Sequence, residues 1–148
     1  MKVRSTYLGE IAIDESKIIH FPSGIPGFSE SKQFVLLELP DNQIFHILQS
    51  VDDEKLAFII TDPYHFYQNY SFELEPSILE YLKIKDRNDI AVYTIVTVQK
   101  PFTASTINLK APIIIHMKGN LAKQIVLQNE AYSSRVPISQ PLREKGEK

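Results

Sequence analysis

The four histidines are the side chains best suited to metal binding or acid–base chemistry, and they are widely separated: His20, His46, His65 and His116. No two have the i, i+4 spacing of a helical zinc site, and the chain contains no cysteine that could complete a mixed site. His20 and His116 belong to apolar runs, which predicts structural histidines hydrogen-bonded to the backbone. Folding could still gather distant histidines into one pocket, but the spacing predicts neither a metal nor a cofactor.

Two segments bring carboxylates together with other polar or aromatic groups. Asp52, Asp53 and Glu54 lack the spacing of a calcium loop, which favours a solvated turn. Residues 62–67 add an imidazole and three rings to Asp62, but they place no nucleophile beside a base. We expect Asp62 to hydrogen-bond the backbone and fix a turn before Pro63, with an aromatic recognition surface as the alternative. These patterns predict no catalytic residue.

Aromatic residues are concentrated between positions 64 and 72, as in the stacking platforms that bind single-stranded nucleic acid. No Lys or Arg accompanies them as far as Glu75, so phosphates would be repelled there. Residues 1–90 carry 8 Lys/Arg against 15 Asp/Glu, whereas residues 91–148 carry 8 against 3. This acidic excess favours a basic protein partner, unless folding interleaves the two parts and erases the asymmetry.

Two glycines and two prolines framed by phenylalanines make residues 21–28 a predicted corner of the fold. The prolines prevent a regular strand or helix from continuing, and the glycines supply backbone angles that side chains forbid. Neither a Lys-Ser or Lys-Thr pair nor a helix pattern follows directly, which argues against a phosphate loop. We expect the corner to fix the path of the chain. Its structural residues are Phe21, Pro22, Gly24, Ile25, Pro26 and Gly27.

Short apolar runs separated by turn residues are typical of an all-β protein. Strands are predicted over residues 10–13, 17–21, 34–39, 45–50, 57–61, 90–98, 102–108, 113–116 and 121–127. The first two flank a predicted hairpin connection at Asp14, and residues 75–82 read as a short helix that begins near Pro76. Several strands are apolar on both faces. The pattern predicts a small closed or partly open β-barrel-like domain of short antiparallel strands, with one short helix.

We expect one domain over residues 1–135 and a polar, flexible C-terminal tail over residues 136–148. No apolar run approaches the roughly 18 residues of a membrane span. The N-terminus has no signal-peptide pattern, and cysteine is absent. A cytoplasmic location is the simplest expectation.

An ordered set of short motifs resembles the flagellar assembly factor FliW family. The corner at 21–28 is similar to the signature corner of that family. The similarity extends to residues 48–50, to residues 58–63 with their Asp-Pro turn, and to residues 90–93. It continues through Asn108, Ala111 and Pro112 and ends with residues 122–124 and Tyr132.

The resemblance implies a non-enzymatic bacterial protein that binds newly made flagellin and, alternatively, the RNA-binding translational regulator CsrA. Captured CsrA no longer represses flagellin mRNA. Flagellin that accumulates in the cytoplasm occupies the factor and frees CsrA, so that synthesis matches secretion. The resemblance also implies a small β-barrel-like fold, with no direct contact to nucleic acid or membrane.

We choose candidate partner-binding residues on two chemical grounds. CsrA binds RNA and must carry basic surface, so it suits acidic side chains. The acidic candidates are Asp52, Asp53, Glu54, Glu73 and Glu75. Flagellin's terminal segments, which in this family are amphipathic and disordered before assembly, would dock into an apolar groove or add a strand to an open edge. The expected exposed apolar contacts are Phe28, Tyr64, Phe66 and Tyr67. The alternative from another class is a small β-barrel nucleic-acid-binding module.

Overall fold

The computed structural model describes residues 1–40 and 42–138, and most of its regular structure is β-strand. The strands are β1 (Lys2–Ser5), β2 (Gly9–Ala12), β3 (Ile19–His20), β4 (Gln33–Leu39), β5 (Asn42–Ser50), β6 (Ala57–Thr61), β7 (Ile90–Thr97), β8 (Thr106–Ile107), β9 (Ile113–His116), β10 (Leu121–Gln124) and β11 (Val136–Pro137). A six-residue helix, α1 (Pro76–Tyr81), has a proline in its first turn. Within the described residues, no helix is long and apolar enough to cross a bilayer.

Seven strands form a closed ring in the order β7-β6-β5-β4-β3-β10-β9, because β9 also pairs with β7. β8 and β11 extend the sheet from β7, and β1 and β2 form a separate hairpin. The pairs are antiparallel except for β3 with β10, which run parallel and meet at one residue pair, Leu121 with His20. The predicted mostly-β fold with one short helix is confirmed. It departs from a regular barrel because β3 contributes only two residues and the sheet is mixed.

Two groups of buried apolar side chains account for strands that are apolar on both faces. The first takes buried residues from six strands of the ring, and partly buried residues of the seventh, β7, pack against them, so this group fills the interior of the ring. It contains Ile19, Phe21, Ile25, Phe34, Leu48, Ile60, Ile113, Ile115 and Ala122, with Tyr93 and Ile95 of β7 packed against it. The second group lies outside the ring, where loops cover one face of β5 and β7. Its buried members are Phe45, Tyr70, Val96, Ile107, Leu109 and Leu127.

Several local predictions differ from the structure. The predicted hairpin connection at Asp14 is wrong: its carboxylate accepts the Ser16 N–H at 2.9 Å and begins a 3₁₀ turn, Glu15–Lys17. The hydrogen bond from the Ser16 hydroxyl, together with the one from the Ser16 N–H, lowers the pKa of Asp14. β2 instead pairs with β1. The predicted strand at 102–108 is shortened to β8, because Phe102–Ala104 forms another 3₁₀ turn.

The C-terminal part of the described chain continues the sheet. Val136–Pro137 pairs with Thr106–Ile107, and the Ile138 N–H donates to the carbonyl oxygen of Ser105 at 3.1 Å. Residues 139–148 of the predicted tail lie outside the described residues.

Candidate functional site

The corner at 21–28 consists of two consecutive tight turns. The Gly24 N–H donates to the Phe21 carbonyl oxygen, and the Phe28 N–H donates to that of Ile25, each at 2.7 Å. Phe21 and Ile25 are buried, and the Phe21 ring packs edge-on against Phe34 with ring centres 5.2 Å apart. Phe28 is 47% exposed. The corner thus fixes two apolar side chains in the core and holds a third at the surface.

Both glycines of the corner have backbone angles that disfavour any side chain. Gly24 has a φ of +70° and Gly27 a φ of +87°. A Cβ added at Gly24 would also lie 2.6 Å from the Cα atom of Ser29, whereas a Cβ at Gly27 meets nothing within 4 Å. Pro22 and Pro26 are exposed, and each lies within one of the two turns of the corner. At Gly24, both the positive φ and the close approach of the Ser29 backbone disfavour a side chain. At Gly27, only the positive φ does so.

Phe28 and the acidic turn at 52–54 lie at one cleft of about 330 Å³. The cleft is lined by Gly27, Phe28, Ser29, Glu30, Ser31, Asp53 and Leu56. The Phe28 ring packs edge-on against Phe58, with ring centres 5.5 Å apart, so its position is fixed although it is exposed. Glu30 adds a carboxylate that the sequence argument did not include. The structure thus brings together an apolar and an acidic candidate that are 25 residues apart in the sequence.

The side chain of Gln49, fully buried at the end of β5, fixes the acidic turn. Its Oε1 accepts the Thr6 N–H at 2.8 Å, which ties the turn to the β1–β2 hairpin. Its Nε2 shares two N–H groups among four carbonyl oxygens at 3.2–3.5 Å, those of Ser50, Asp53, Glu54 and Leu56. A buried amide this fully bonded holds the turn in one conformation.

Ser50 connects the acidic turn to the corner. Its hydroxyl oxygen accepts the N–H groups of Asp52 and Asp53, both at 3.1 Å. It also shares a 2.5 Å hydrogen bond with the hydroxyl of Ser31, which is buried just after the corner. Residues 48–50 were noted in the sequence only as part of a resemblance. This network could have been predicted from the sequence, because two polar residues, Gln49 and Ser50, end an apolar strand close to an acidic turn.

The charges at this cleft are mostly negative and exposed. Asp52, Asp53 and Glu54 are all exposed. Glu54 forms an ion pair with Arg4, Nε to Oε2 3.3 Å, in which both side chains are more than half exposed. Such a pair contributes little to stability, so its main effect is to offset part of the local charge. Lys55 follows in the same turn, which leaves an acidic excess once Glu30 is counted.

The aromatic candidates of segment 62–67 differ in exposure. The Asp62 carboxylate accepts the Tyr64 N–H at 2.9 Å, and the 3₁₀ turn Pro63–His65 follows. Tyr64 is 38% exposed, and burial of part of its ring raises the pKa of its hydroxyl. Phe66 and Tyr67 are half-buried against the outer apolar group, and the Tyr67 hydroxyl donates to the Pro137 carbonyl oxygen. Phe66 and Tyr67 therefore contribute to packing, and Tyr64 is the exposed ring of the three.

Glu73 and Glu75 lie at a second and larger groove of about 740 Å³. One wall is the chain around Phe72 and the start of α1, and the other is the extended segment 123–129. The second wall is held by the turn at 108–112, where the Asn108 Oδ1 accepts the N–H groups of Lys110 and Ala111 at 3.1 and 3.0 Å. The acidic candidates thus divide between two surfaces built from different elements.

The turn at 108–112 also hydrogen-bonds the groove wall directly. The Ala111 carbonyl oxygen accepts from the Gln124 side chain at 2.9 Å, and that of Pro112 accepts from the Ile125 N–H at 3.0 Å. These hydrogen bonds fix one edge of segment 123–129. Its other edge faces the groove.

The histidines do not converge. His116 is buried, and its Nδ1 lies 2.8 Å from the Leu82 carbonyl oxygen, as predicted for a structural histidine. The same prediction is wrong for His20, whose side chain is exposed at the short β3 strand. His46 is half-buried with its ring against Tyr93, ring centres 5.7 Å apart. Across residues 1–40 and 42–138, no group of three or more His, Asp or Glu side chains could hold a metal ion.

Comparison with known proteins identifies the relatives of this chain. A family model described as "FliW protein" matches residues 2–138. The flagellar assembly factor FliW of Oceanobacillus iheyensis is 53% identical over 147 residues, which cover 99% of this chain and 100% of that protein. The corresponding protein of Bacillus subtilis is 47% identical over 138 residues, 93% of this chain and 96% of its own length. A crystal structure of the flagellar assembly factor FliW superposes with a TM-score of 0.89 at 41% identity, covering 93% and 96% of the two chains.

The corner glycines provide a test of how the cleft is built. We expect Gly27→Ala to lower the free energy of unfolding by about 1–2 kcal/mol, the usual cost of a left-handed conformation for a residue with a side chain. Gly24→Ala should cost more, because its Cβ would also collide with the Ser29 backbone. Urea unfolding of both variants measures the difference. Equal losses would show that backbone crowding at Gly24 is relieved without cost.

Replacement of Gln49 tests the bonding of the acidic turn. Gln49→Leu keeps the side-chain size but leaves the Thr6 N–H without its acceptor and removes the bonds from Nε2 to four carbonyl oxygens, so we expect the free energy of unfolding to fall by about 1–3 kcal/mol. Amide exchange in residues 52–56 should also accelerate. Gln43→Leu is the control, since Gln43 is exposed on the same strand, and it should change stability by less than about 0.5 kcal/mol. Unchanged amide exchange in Gln49→Leu would contradict the assigned role.

Proposed function

This chain belongs to the FliW family, and from that premise we propose that it is a flagellar assembly factor that binds flagellin and the translational regulator CsrA in the cytoplasm. Members of the family are non-enzymatic assembly factors. In this proposal, bound CsrA can no longer repress flagellin mRNA. Flagellin that accumulates before export occupies the factor and releases CsrA. The chain therefore acts as a partner switch.

The observation that carries the proposal is the rigid acidic turn beside an exposed aromatic ring. Asp52 and Asp53 project from a turn that is fixed by the buried amide of Gln49 and by the Ser50 hydroxyl. A turn already held in one conformation loses little entropy on binding, which favours affinity. An RNA-binding protein must present basic residues to phosphates, and the same residues complement this cleft.

The exposed rings supply the apolar part of partner binding. Phe28 at the first cleft and Tyr64 on segment 62–67 are both accessible. An amphipathic flagellin segment that is disordered before assembly would bury its apolar side chains on such rings and would gain order as it binds. Phe66 and Tyr67, on the same segment as Tyr64, pack against the outer apolar group.

Neutralising the turn tests the contact with CsrA. We expect the double variant Asp52→Asn/Asp53→Asn to weaken CsrA binding by about tenfold at low salt and to reduce the dependence of affinity on salt. Asparagine retains the Oδ1 acceptor that Asp53 offers to the Lys55 N–H, so the turn should be preserved. Calorimetric titration of CsrA at about 50 and 500 mM salt gives the measurement.

The matched control removes the same charge elsewhere. Glu15→Gln/Glu38→Gln neutralises two exposed carboxylates that line neither the cleft nor the groove, and it should leave the affinity within about twofold of the unaltered chain. CsrA affinity that is identical at low and high salt in the unaltered chain would count against an electrostatic contact.

An electrophoretic shift experiment distinguishes the proposed function from the alternative, a nucleic-acid-binding module. We expect the chain alone to leave a flagellin mRNA leader unshifted, and to release CsrA from that RNA when added to the complex. Addition of flagellin should restore the CsrA–RNA complex. Direct, salt-dependent retardation of the RNA by the chain alone would favour the alternative.

A further inference from the structure

The segment after β10 keeps one edge bonded. The Ile125 N–H donates to the Pro112 carbonyl oxygen at 3.0 Å, and the Leu127 N–H donates to that of Lys110 at 2.8 Å. These bonds continue the antiparallel register of β10 with β9. Backbone N–H and C=O groups of successive residues in an extended chain point to opposite sides. The intervening backbone groups therefore face the other edge; they belong to Gln124, Val126 and Gln128.

No strand of the described residues pairs with that other edge beyond Leu121. β3 covers β10 only at Leu121, through its pairing with His20. The backbone groups of Val126 and Gln128 have no hydrogen-bond partner among residues 1–40 and 42–138. The same holds for the backbone of residues 72–74 on the facing wall. Both walls of the 740 Å³ groove therefore have backbone groups without a hydrogen-bond partner among the described residues.

The side chains of the groove give it a defined chemistry. Phe72 and Ile78 are half-buried and Val126 is 58% exposed, which provides an apolar surface. Glu73 and Glu75 are exposed, and neither forms an ion pair with any residue of the described chain. Among the described residues that line the groove, Lys123 is the only cation, and its Nζ lies 5.0 Å from the centre of the Tyr81 ring, where a cation–π contact engages it.

We propose that this groove binds an extended segment of a partner polypeptide, which adds a strand to the open edge at residues 124–128 and directs a basic side chain to Glu73 and Glu75. This rests on the proposed function, because it assumes that the chain acts by capturing other proteins. A helix would bring a backbone whose groups are already bonded, and would leave the edge unpaired. The open edge is about 13 Å long at about 3.3 Å per residue, which matches a strand of about five residues.

The test uses a defined probe, the acetylated and amidated pentapeptide Thr-Val-Lys-Val-Thr. We expect saturable shifts of the groove amides in NMR titration of the full chain, and amide exchange at Val126 and Gln128 slowed at least about tenfold at saturation. Val126→Pro removes one edge N–H and should weaken peptide binding about 3- to 10-fold. Val126→Thr keeps that N–H and should bind normally. Equal affinities of the two variants, or no saturable binding, would overturn the proposal.

A second comparison isolates the charge. Glu73→Gln/Glu75→Gln should weaken binding of the lysine peptide several-fold, and should leave unchanged the binding of the same peptide with norleucine in place of lysine. Equal losses for both peptides would overturn the assigned role of the carboxylates. Exchange protection of the same amides that rises with protein concentration and without peptide would mean that a second copy of the chain occupies the edge, which also overturns the proposal.

Failure of this inference is distinguishable from failure of the proposed function. Capture of flagellin or CsrA by the unaltered chain, with no peptide-dependent protection at Val126 and Gln128, would refute strand addition and leave the function intact. Peptide binding with the expected protection, but capture of neither protein, would refute the proposed function and support the groove as a strand-binding site.

Discussion

Gln49 is completely buried in β5, and a buried amide must satisfy its donors and acceptor within the protein. It does so by bonding the turn that follows its own strand and the hairpin that precedes the ring. Ser50 extends the same network to the corner through Ser31. Two adjacent polar side chains therefore position three segments, two of which carry candidate functional residues. The acidic turn, the corner and the β1–β2 hairpin depend on the polar end of one apolar strand.

Side-chain hydrogen bonds to the backbone also hold other turns of the molecule. Asp62 bonds the Tyr64 N–H, Asn108 bonds two N–H groups of its turn, and Asp86 bonds the Asn88 N–H at 2.9 Å. Each is a short side chain that satisfies backbone groups a few residues ahead. The strand ring supplies the rigid body, and these local bonds determine where its loops project. Candidate binding residues consequently occupy fixed positions even where they are exposed.

The sequence was informative where a pattern is local. Ala57–Thr61 and Ile113–His116 agree with their predicted bounds, because apolar β-branched runs end there at strong turn signals. The connection at Asp14 was misassigned, because the same residue types favour a hairpin turn and a 3₁₀ turn, and only the distant pairing of β1 with β2 decides between them. The proximity of Phe28 to Asp53 could not be predicted, because it depends on the antiparallel pairing of β4 with β5 and on the path of the corner.

The two candidate surfaces differ in how far they are organised before binding. The turn at Asp53 is bonded through its backbone and neighbouring side chains, so a ligand meets a fixed array of carboxylates, and long-range attraction governs the encounter. The groove beside Val126 instead has backbone groups without a partner among residues 1–40 and 42–138, so a ligand would gain affinity by replacing the water bound to them with a hydrogen-bonded strand. Salt would then act mainly on association at the first surface, and backbone bonding mainly on dissociation at the second.

Because the surfaces are built from different elements, occupation of one does not by itself remove the contacts of the other. Mutual exclusion of two partners would therefore have to come from their size or from a shift between two conformations of the ring.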